Sequence, residues 1–217
     1  NEADLKACAE IYAAHNYPIS EPVLDPKSVS PQEHLRIGYM SGEFRNAATS
    51  VLMAEVFELH DRKRFQVIAI DNGWNDQSLL RARLENSFDG IFNISGLSDR
   101  DSASLIRREG IDILVDLNGY FGKGRQGVLA RRPCSIQVNF LGFPGTLGAG
   151  YMDYLIADET IIPRADQRHY AEKIVYLPSY QANDGKRRTA DRRFTRSELG
   201  LPAAGHRILA WTAGPAA

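Results

Sequence analysis

The chain has 217 residues and 43% apolar side chains, enough to build the core of one large domain or two small ones. Its 26 basic and 27 acidic side chains nearly cancel, which excludes a global field that would recruit nucleic acid or an anionic membrane. The two cysteines, Cys8 and Cys134, lie far apart and flank no ligand-like spacing, which suits a reducing, cytoplasmic setting better than a disulfide framework or a zinc site.

No apolar run approaches the roughly 18 residues of a membrane span, and no basic-then-apolar leader opens the chain. The first residue is Asn1 rather than Met, which predicts an internal piece of a longer protein.

In chain order, "NEADLKACAEIYAAHNYP" places Leu5, Cys8, Ala9, Ile11, Tyr12 and Ala13 near helical spacing, and Pro18 ends the pattern. A proline-rich strap or linker follows from Ile19 to Glu33. From His34 onward strands and helices alternate. "LRIGYMS", "FQVIAID", "DGIFNIS", "IDILVDLNG" and "SIQVNFLG" read as strands. Between them, "TSVLMAEVFELHD", "QSLLRARLENS", "LSDRDSASLIRREG" and the short "QGVLARR" read as helices, the third with Ser98 as N-cap and Gly110 as its stop. Beyond Asp158 the pattern loosens into "KIVYLP", a basic loop, a helix-like "SELGLPAAG" and a last strand candidate, "HRILAWT". This alternation predicts an α/β fold, a Rossmann-like wound parallel sheet with helices on both faces.

Ligands of such sheets bind beyond the carboxyl ends of the strands, so topology selects the loops to inspect: "GEFRNAAT", "DNGWNDQ", "NGYFGKGR" and "GFPGTLGAG". In the first, Asn46 or Thr49 is positioned to cap the following helix or to hold a ligand oxygen, and Glu43 and Arg45 are able to pair. The third offers three glycines with Lys123 and Arg125 as an anion nest, but it matches neither the P-loop nor the dinucleotide fingerprint. The fourth spends glycine and proline at the end of a buried strand, a pattern that lets backbone approach a ligand. The five histidines are scattered without acid or hydroxyl partners in sequence, and Tyr170 beside His169 reads as surface, with a place lining a pocket as the lesser reading. The basic run from Lys186 to Arg196 has no interleaved aromatics, which argues for a solvated loop over base stacking, with phosphate contact as the lesser reading.

Four stretches in one order, "LRIGYMSGEFRNAATSVLM", "GIDILVDLNGYFGKGR", "ARRPCSIQVNFLGFPGTLGAGYMDYLIAD" and "YAEKIVYLPSYQANDGKR", resemble the bacterial O-linked N-acetylglucosamine transferase family, which includes the SPINDLY-type protein O-fucosyltransferases. The resemblance runs from about Leu35 to Gly205. It implies two Rossmann-like lobes in a glycosyltransferase B-type fold, of which residues 34–217 are the N-terminal lobe. Residues 1–33 are implied to be the helix and linker that follow this family's tetratricopeptide repeats.

The implied partners are a nucleotide sugar, an acceptor polypeptide and a C-terminal donor lobe, without nucleic acid, membrane, metal or cofactor; UDP-N-acetylglucosamine is the expected donor. The implied substrate-binding positions are Leu141 and Gly142 first, then Pro144 and Thr146 of the same "LGFPGT" loop, with Asn46, Thr49 and Tyr120. Where the family has Asp and then Asn-His-Pro in its first loop, this sequence has Glu43 and then Asn46, Ala47, Ala48. The lysine that neutralises the leaving diphosphate in the family is not matched here. The chain alone is therefore expected to be inactive, and a non-catalytic polypeptide-binding module and an O-fucosyltransferase stand as alternatives. If it is a single lobe, the face of Thr49, Tyr120, Leu141 and Phe143 is expected to be open and partly apolar.

Overall fold

A computed structural model describes residues 2–19, 34–188 and 191–204. Helix α1 (Glu2–Asn16) comes first, and the alternating unit follows: β1 (Leu35–Ser41), α2 (Ala48–Glu58), β2 (Phe65–Asp71), α3 (Leu79–Glu85), β3 (Gly90–Asn93), α4 (Asp99–Arg108), β4 (Ile113–Asp116), α5 (Gln126–Leu129) and β5 (Ile136–Asn139). Two further strands, β6 (Tyr154–Ala157) and β7 (Lys173–Tyr176), flank a 3-10 turn at Arg164–His169.

Among the described residues all strands run parallel in one seven-stranded sheet of order β3-β2-β1-β4-β5-β6-β7. The period of two along each strand divides the core. Met40, Ile68, Ile70 and Leu114 face α4 and α5 through Ala103, Ile106, Val128 and Leu129. Tyr39, Val67, Ala69 and Val115 face α2 and α3 through Met53, Ala54, Phe57 and Leu84. The α/β, doubly covered parallel sheet expected from the sequence is the fold observed.

Local signals explain the boundaries. The Ser98 hydroxyl accepts from the Asp101 amide at 3.1 Å and caps α4, and Gly110, at φ 66°, ends it as expected. Ser78 does the same for α3, accepting from Arg81 N at 3.1 Å. Strand β6 was not foreseen as a strand: it is four residues long and sits behind a glycine-rich stretch that masks its start. "SELGLPAAG" forms turns over its described residues rather than a helix, with the Gly200 amide donating to Ser197 O at 3.0 Å. "HRILAWT" and the linker from Ser20 to Glu33 lie outside the described residues.

Candidate functional site at the carboxyl rim of the sheet

The strand order reverses between β1 and β4, and the loops leaving those two strands meet there. Asn118, buried at the end of β4, closes the gap: its Oδ1 accepts from the Gly42 amide at 3.0 Å, and its Nδ2 donates to Phe121 O at 3.2 Å. Asp116, fully buried, holds the same loop from below by accepting from Asn118 N (3.0 Å), Gly119 N (3.1 Å) and Gln126 Nε2 (2.9 Å). Burial pushes its carboxyl up to about 6 against these donors, which favour the charged form. On the β2 side, Asp71 is completely buried and accepts from Arg81 Nη1 at 2.6 Å, while the same nitrogen donates to Phe44 O at 2.8 Å. Buried Asp116 thus ties the β4 loop to α5, and buried Asp71, through Arg81, ties the β1 and β2 loops to α3.

The β5 loop presents backbone. Leu141 adopts φ 71°, a left-handed conformation costly for a branched side chain, and its carbonyl accepts from the Tyr180 hydroxyl at 2.6 Å. Gly142 follows, with its amide turned back to Phe140 O at 2.9 Å. A Cβ on Gly142 would lie 2.1 Å from Leu117 O, so only glycine lets this loop lie against β4. Leu141, Gly142 and the exposed Pro144 therefore sit on the outer rim, and exposed Asn46 lies on the β1 loop, with the β4 loop between.

The other expected residues point their polar atoms inward. Thr49 is buried and donates to Glu43 Oε2 at 2.5 Å, so Glu43 pairs with it and not with Arg45. Neither Asn46 nor Thr49 caps α2: the N-cap is Ala47, which has no side-chain acceptor, and the Asn46 amide donates to Asp76 Oδ2 at 2.8 Å. Tyr120 donates to Leu147 O at 2.7 Å, and Thr146 donates to the buried Glu172 Oε2 at 2.7 Å. Arg125, expected as part of an anion nest, is consumed internally by Asp99, Asn72 and the carbonyls of Ile94 and Leu97. The face of Thr49, Tyr120, Leu141 and Phe143 is only partly open, because Tyr12 of α1 packs edge-on against Tyr120 at 5.2 Å and Phe143 does so at 5.6 Å. Between α1 and this face lies an apolar cavity of about 290 Å³ lined by Leu5, Tyr12, Tyr120, Phe143, Thr146 and Tyr170. Tyr120 and Thr146 thus share a cavity, whereas Asn46 and Thr49 lie across the β4 loop from it.

Sequence reasoning passed over Asn118, Asp116 and Trp74. An Asn-Gly pair just beyond a buried strand was the available signal for Asn118. Among the described residues, Glu2, Asp166 and His169 form the one cluster with ligand-like spacing, and His169 Nε2 already accepts from Arg168 Nε at 3.1 Å.

The family model described as Glycosyl transferase family 41 matches residues 9–188, the larger part of the chain and all of this rim. The chain belongs to glycosyl transferase family 41. Curated relatives include a probable UDP-N-acetylglucosamine–peptide N-acetylglucosaminyltransferase, SEC, of Arabidopsis thaliana, 38% identical over 78% of this chain and 18% of the relative. A Caenorhabditis elegans UDP-N-acetylglucosamine–peptide N-acetylglucosaminyltransferase is 37% identical over 71% of this chain and 14% of its own length. A probable transferase named SPINDLY from Petunia hybrida is 27% identical over 70% of the chain.

A solved structure of a mutant Thermobaculum terrenum O-GlcNAc transferase superposes with a TM-score of 0.77 at 32% identity, covering 84% of this chain and 35% of that one. The family 41 chain thus spans less than a fifth of these two transferases at 38% and 37% identity, and about a third of the solved structure. No helix among the described residues is long and apolar enough to cross a membrane.

Proposed function

We propose that this chain is the acceptor-side lobe of a protein O-glycosyltransferase that moves N-acetylglucosamine from UDP-N-acetylglucosamine to Ser or Thr hydroxyls of proteins. The observation that carries the reading is the family 41 match over residues 9–188, joined to a rim whose β5 loop offers backbone where a side chain would clash. In the transfer, the acceptor hydroxyl oxygen bonds to the anomeric carbon as the bond to the diphosphate oxygen breaks, with inversion, and the hydroxyl proton passes to the departing diphosphate. The Leu141–Gly142 backbone, fixed by Tyr180, supplies a surface that a sugar ring and a polypeptide can approach closely. Charge on the departing diphosphate must be balanced in the transition state, and the bonds at Leu141 and Gly142 among the described residues come from Tyr180 and Phe140, neither of them a cation. The lobe therefore turns over only together with a donor lobe that supplies that cation.

A calorimetric titration tests this. The folded chain should bind Ser-containing acceptor peptides and should show no transfer when given UDP-N-acetylglucosamine alone. A folded chain that binds no peptide overturns the reading. Parallel titrations with UDP-N-acetylglucosamine and GDP-fucose address the O-fucosyltransferase alternative, which saturable binding of the latter alone would favour.

A further inference from the structure

The rim carries one cluster that the transfer reaction does not use. Trp74, 50% exposed in the loop after β2, holds the Arg45 guanidinium carbon 4.2 Å and the Lys123 ammonium nitrogen 4.7 Å from its ring centre. Neither cation has an ion pair or a side-chain hydrogen bond among the described residues, and Arg45 Nε is buried without a partner. The neighbouring acids are committed elsewhere: Glu43 to the Thr49 hydroxyl, and Asp76 to the Asn46 amide and the Ser78 hydroxyl. Two like charges drawn to one indole repel each other, and an anion between them turns that repulsion into attraction. The ring restrains the guanidinium, whose terminal nitrogens have no hydrogen-bond partner among the described residues and so remain available to a carboxylate.

The cluster belongs to the same rim as the β5 loop. A Cβ on Gly42 would lie 2.8 Å from Lys123 Cβ, and Asn72 Nδ2 donates to Lys123 O at 2.7 Å, so the β1, β2 and β4 loops are locked together here. From Gly42 the contact passes through Asn118 to Gly142, against which Asn118 Cα packs. Strands β2, β1, β4 and β5 are consecutive neighbours, so three strand spacings, roughly 14 Å, separate the Trp74 loop from Gly142. An extended polypeptide covers that span in about four residues.

We infer that Arg45 and Lys123, held on Trp74, form a subsite for an acidic side chain of the acceptor polypeptide, about four residues along the chain from the hydroxyl that receives the sugar. The inference rests on the acceptor-lobe reading above and adds to it a preference among acceptors. The specificity is electrostatic and geometric, since a carboxylate much nearer to the hydroxyl falls short of the cations and a lysine at the right distance is repelled.

The test is fluorescence anisotropy with labelled Ser-containing peptides, otherwise neutral, that carry Glu, Gln or Lys at successive positions on either side of the serine. With the intact chain, Glu three to five residues away should tighten binding roughly tenfold over Gln at low salt, and Lys there should weaken it. The advantage should vanish in the double variant Arg45→Gln, Lys123→Gln, whose unfolding midpoint serves as the folding control, and should fade at high salt. Equal affinity of Glu and Gln peptides at every position overturns this inference and leaves the acceptor-lobe reading standing. So does loss of the Glu advantage in excess UDP, which would assign the cations to a diphosphate. Failure of every peptide to bind the folded chain overturns both.

Discussion

Asp116 shows how one side chain can organise the rim at a cost that depends on pH. Three donors converge on it at 2.9–3.1 Å, yet its complete burial raises its carboxyl to about 6. Because the folded value lies above the unfolded one, the folded state holds the proton more tightly between about pH 4 and 6. The contribution of Asp116 to stability is thus best in acid, declines as pH rises through that window and stays reduced above it. Relative to Asp116→Asn, which removes the titration, the native chain should lose up to roughly 3 kcal/mol between pH 4 and pH 7. Urea unfolding of both proteins at the two pH values measures it, and a constant difference would mean that the donors cancel the burial. Gly142 makes a steric demand of the same kind. Gly142→Ala places a methyl 2.1 Å from Leu117 O and should cost roughly 1–3 kcal/mol in chemical denaturation while displacing the loop on which the acceptor is proposed to lie.

Such residue-level facts were only partly legible in the sequence. The glycines and proline of "GFPG" after β5 announced a close backbone approach, and the structure identifies Leu117 O as the atom approached. The roles of Thr49, Tyr120 and Thr146 were hidden, because each hydroxyl is taken up by a partner 6 to 27 positions away, Glu43, Leu147 and Glu172. Local pattern carries no information about partners that tertiary packing supplies.

Among the helices, α1 buries little of itself and its docking is open to test. Its Leu5 and Ile11 are largely exposed, and Ala13 is its single buried residue. It is held by Tyr12 on Tyr120, by Lys6 Nζ donating to Arg168 O at 3.1 Å, and by backbone contact with Gly148. Gly148 has φ 62°, and a Cβ there would lie 2.3 Å from Glu10 N. Gly148→Ala should therefore lift the helix and open the cavity beneath it, lowering hydrogen-exchange protection of α1 amides by about tenfold or more while the sheet amides keep theirs. Unchanged protection in α1 would show that the loop yields instead. The strands of the sheet centre were readable as elements because burial on both faces makes them continuous apolar runs; β6, short and shielded by glycines, was not.

On the scale of the whole molecule, the chain leaves edge strand β7 and returns to the helices of the opposite half of the sheet. Arg83 of α3 joins Glu58 of α2 at 2.8 Å to Asp184 at 2.6 Å, Lys186 Nζ reaches Glu58 Oε2 at 2.6 Å, and the Gly185 amide donates to Glu55 Oε2 at 2.6 Å. Part of the basic run read as a solvated loop is thus tied down, by acids more than a hundred positions away that no spacing rule connects. Hydrogen bonding from Arg83 holds the Glu58 carboxyl down at about 2, so this clasp is fully present above pH 4.5 and is lost as pH falls towards 2. Arg83→Gln should release the segment and speed tryptic cleavage at Lys186, Arg187 and Arg188 several-fold, with little change at other sites. Cleavage at the native rate would show that Lys186 and Gly185 suffice to hold it.

The same returning segment decides how the molecule meets a pulling force. Among the described residues, strand β7 pairs only with β6, and it would unzip one hydrogen bond at a time if tension reached it directly. Tension entering from the C-terminal side is first diverted to Arg83 and Glu55, where several charged bonds share it at once. The edge of the sheet is thereby kept out of the line of force until that clasp gives way.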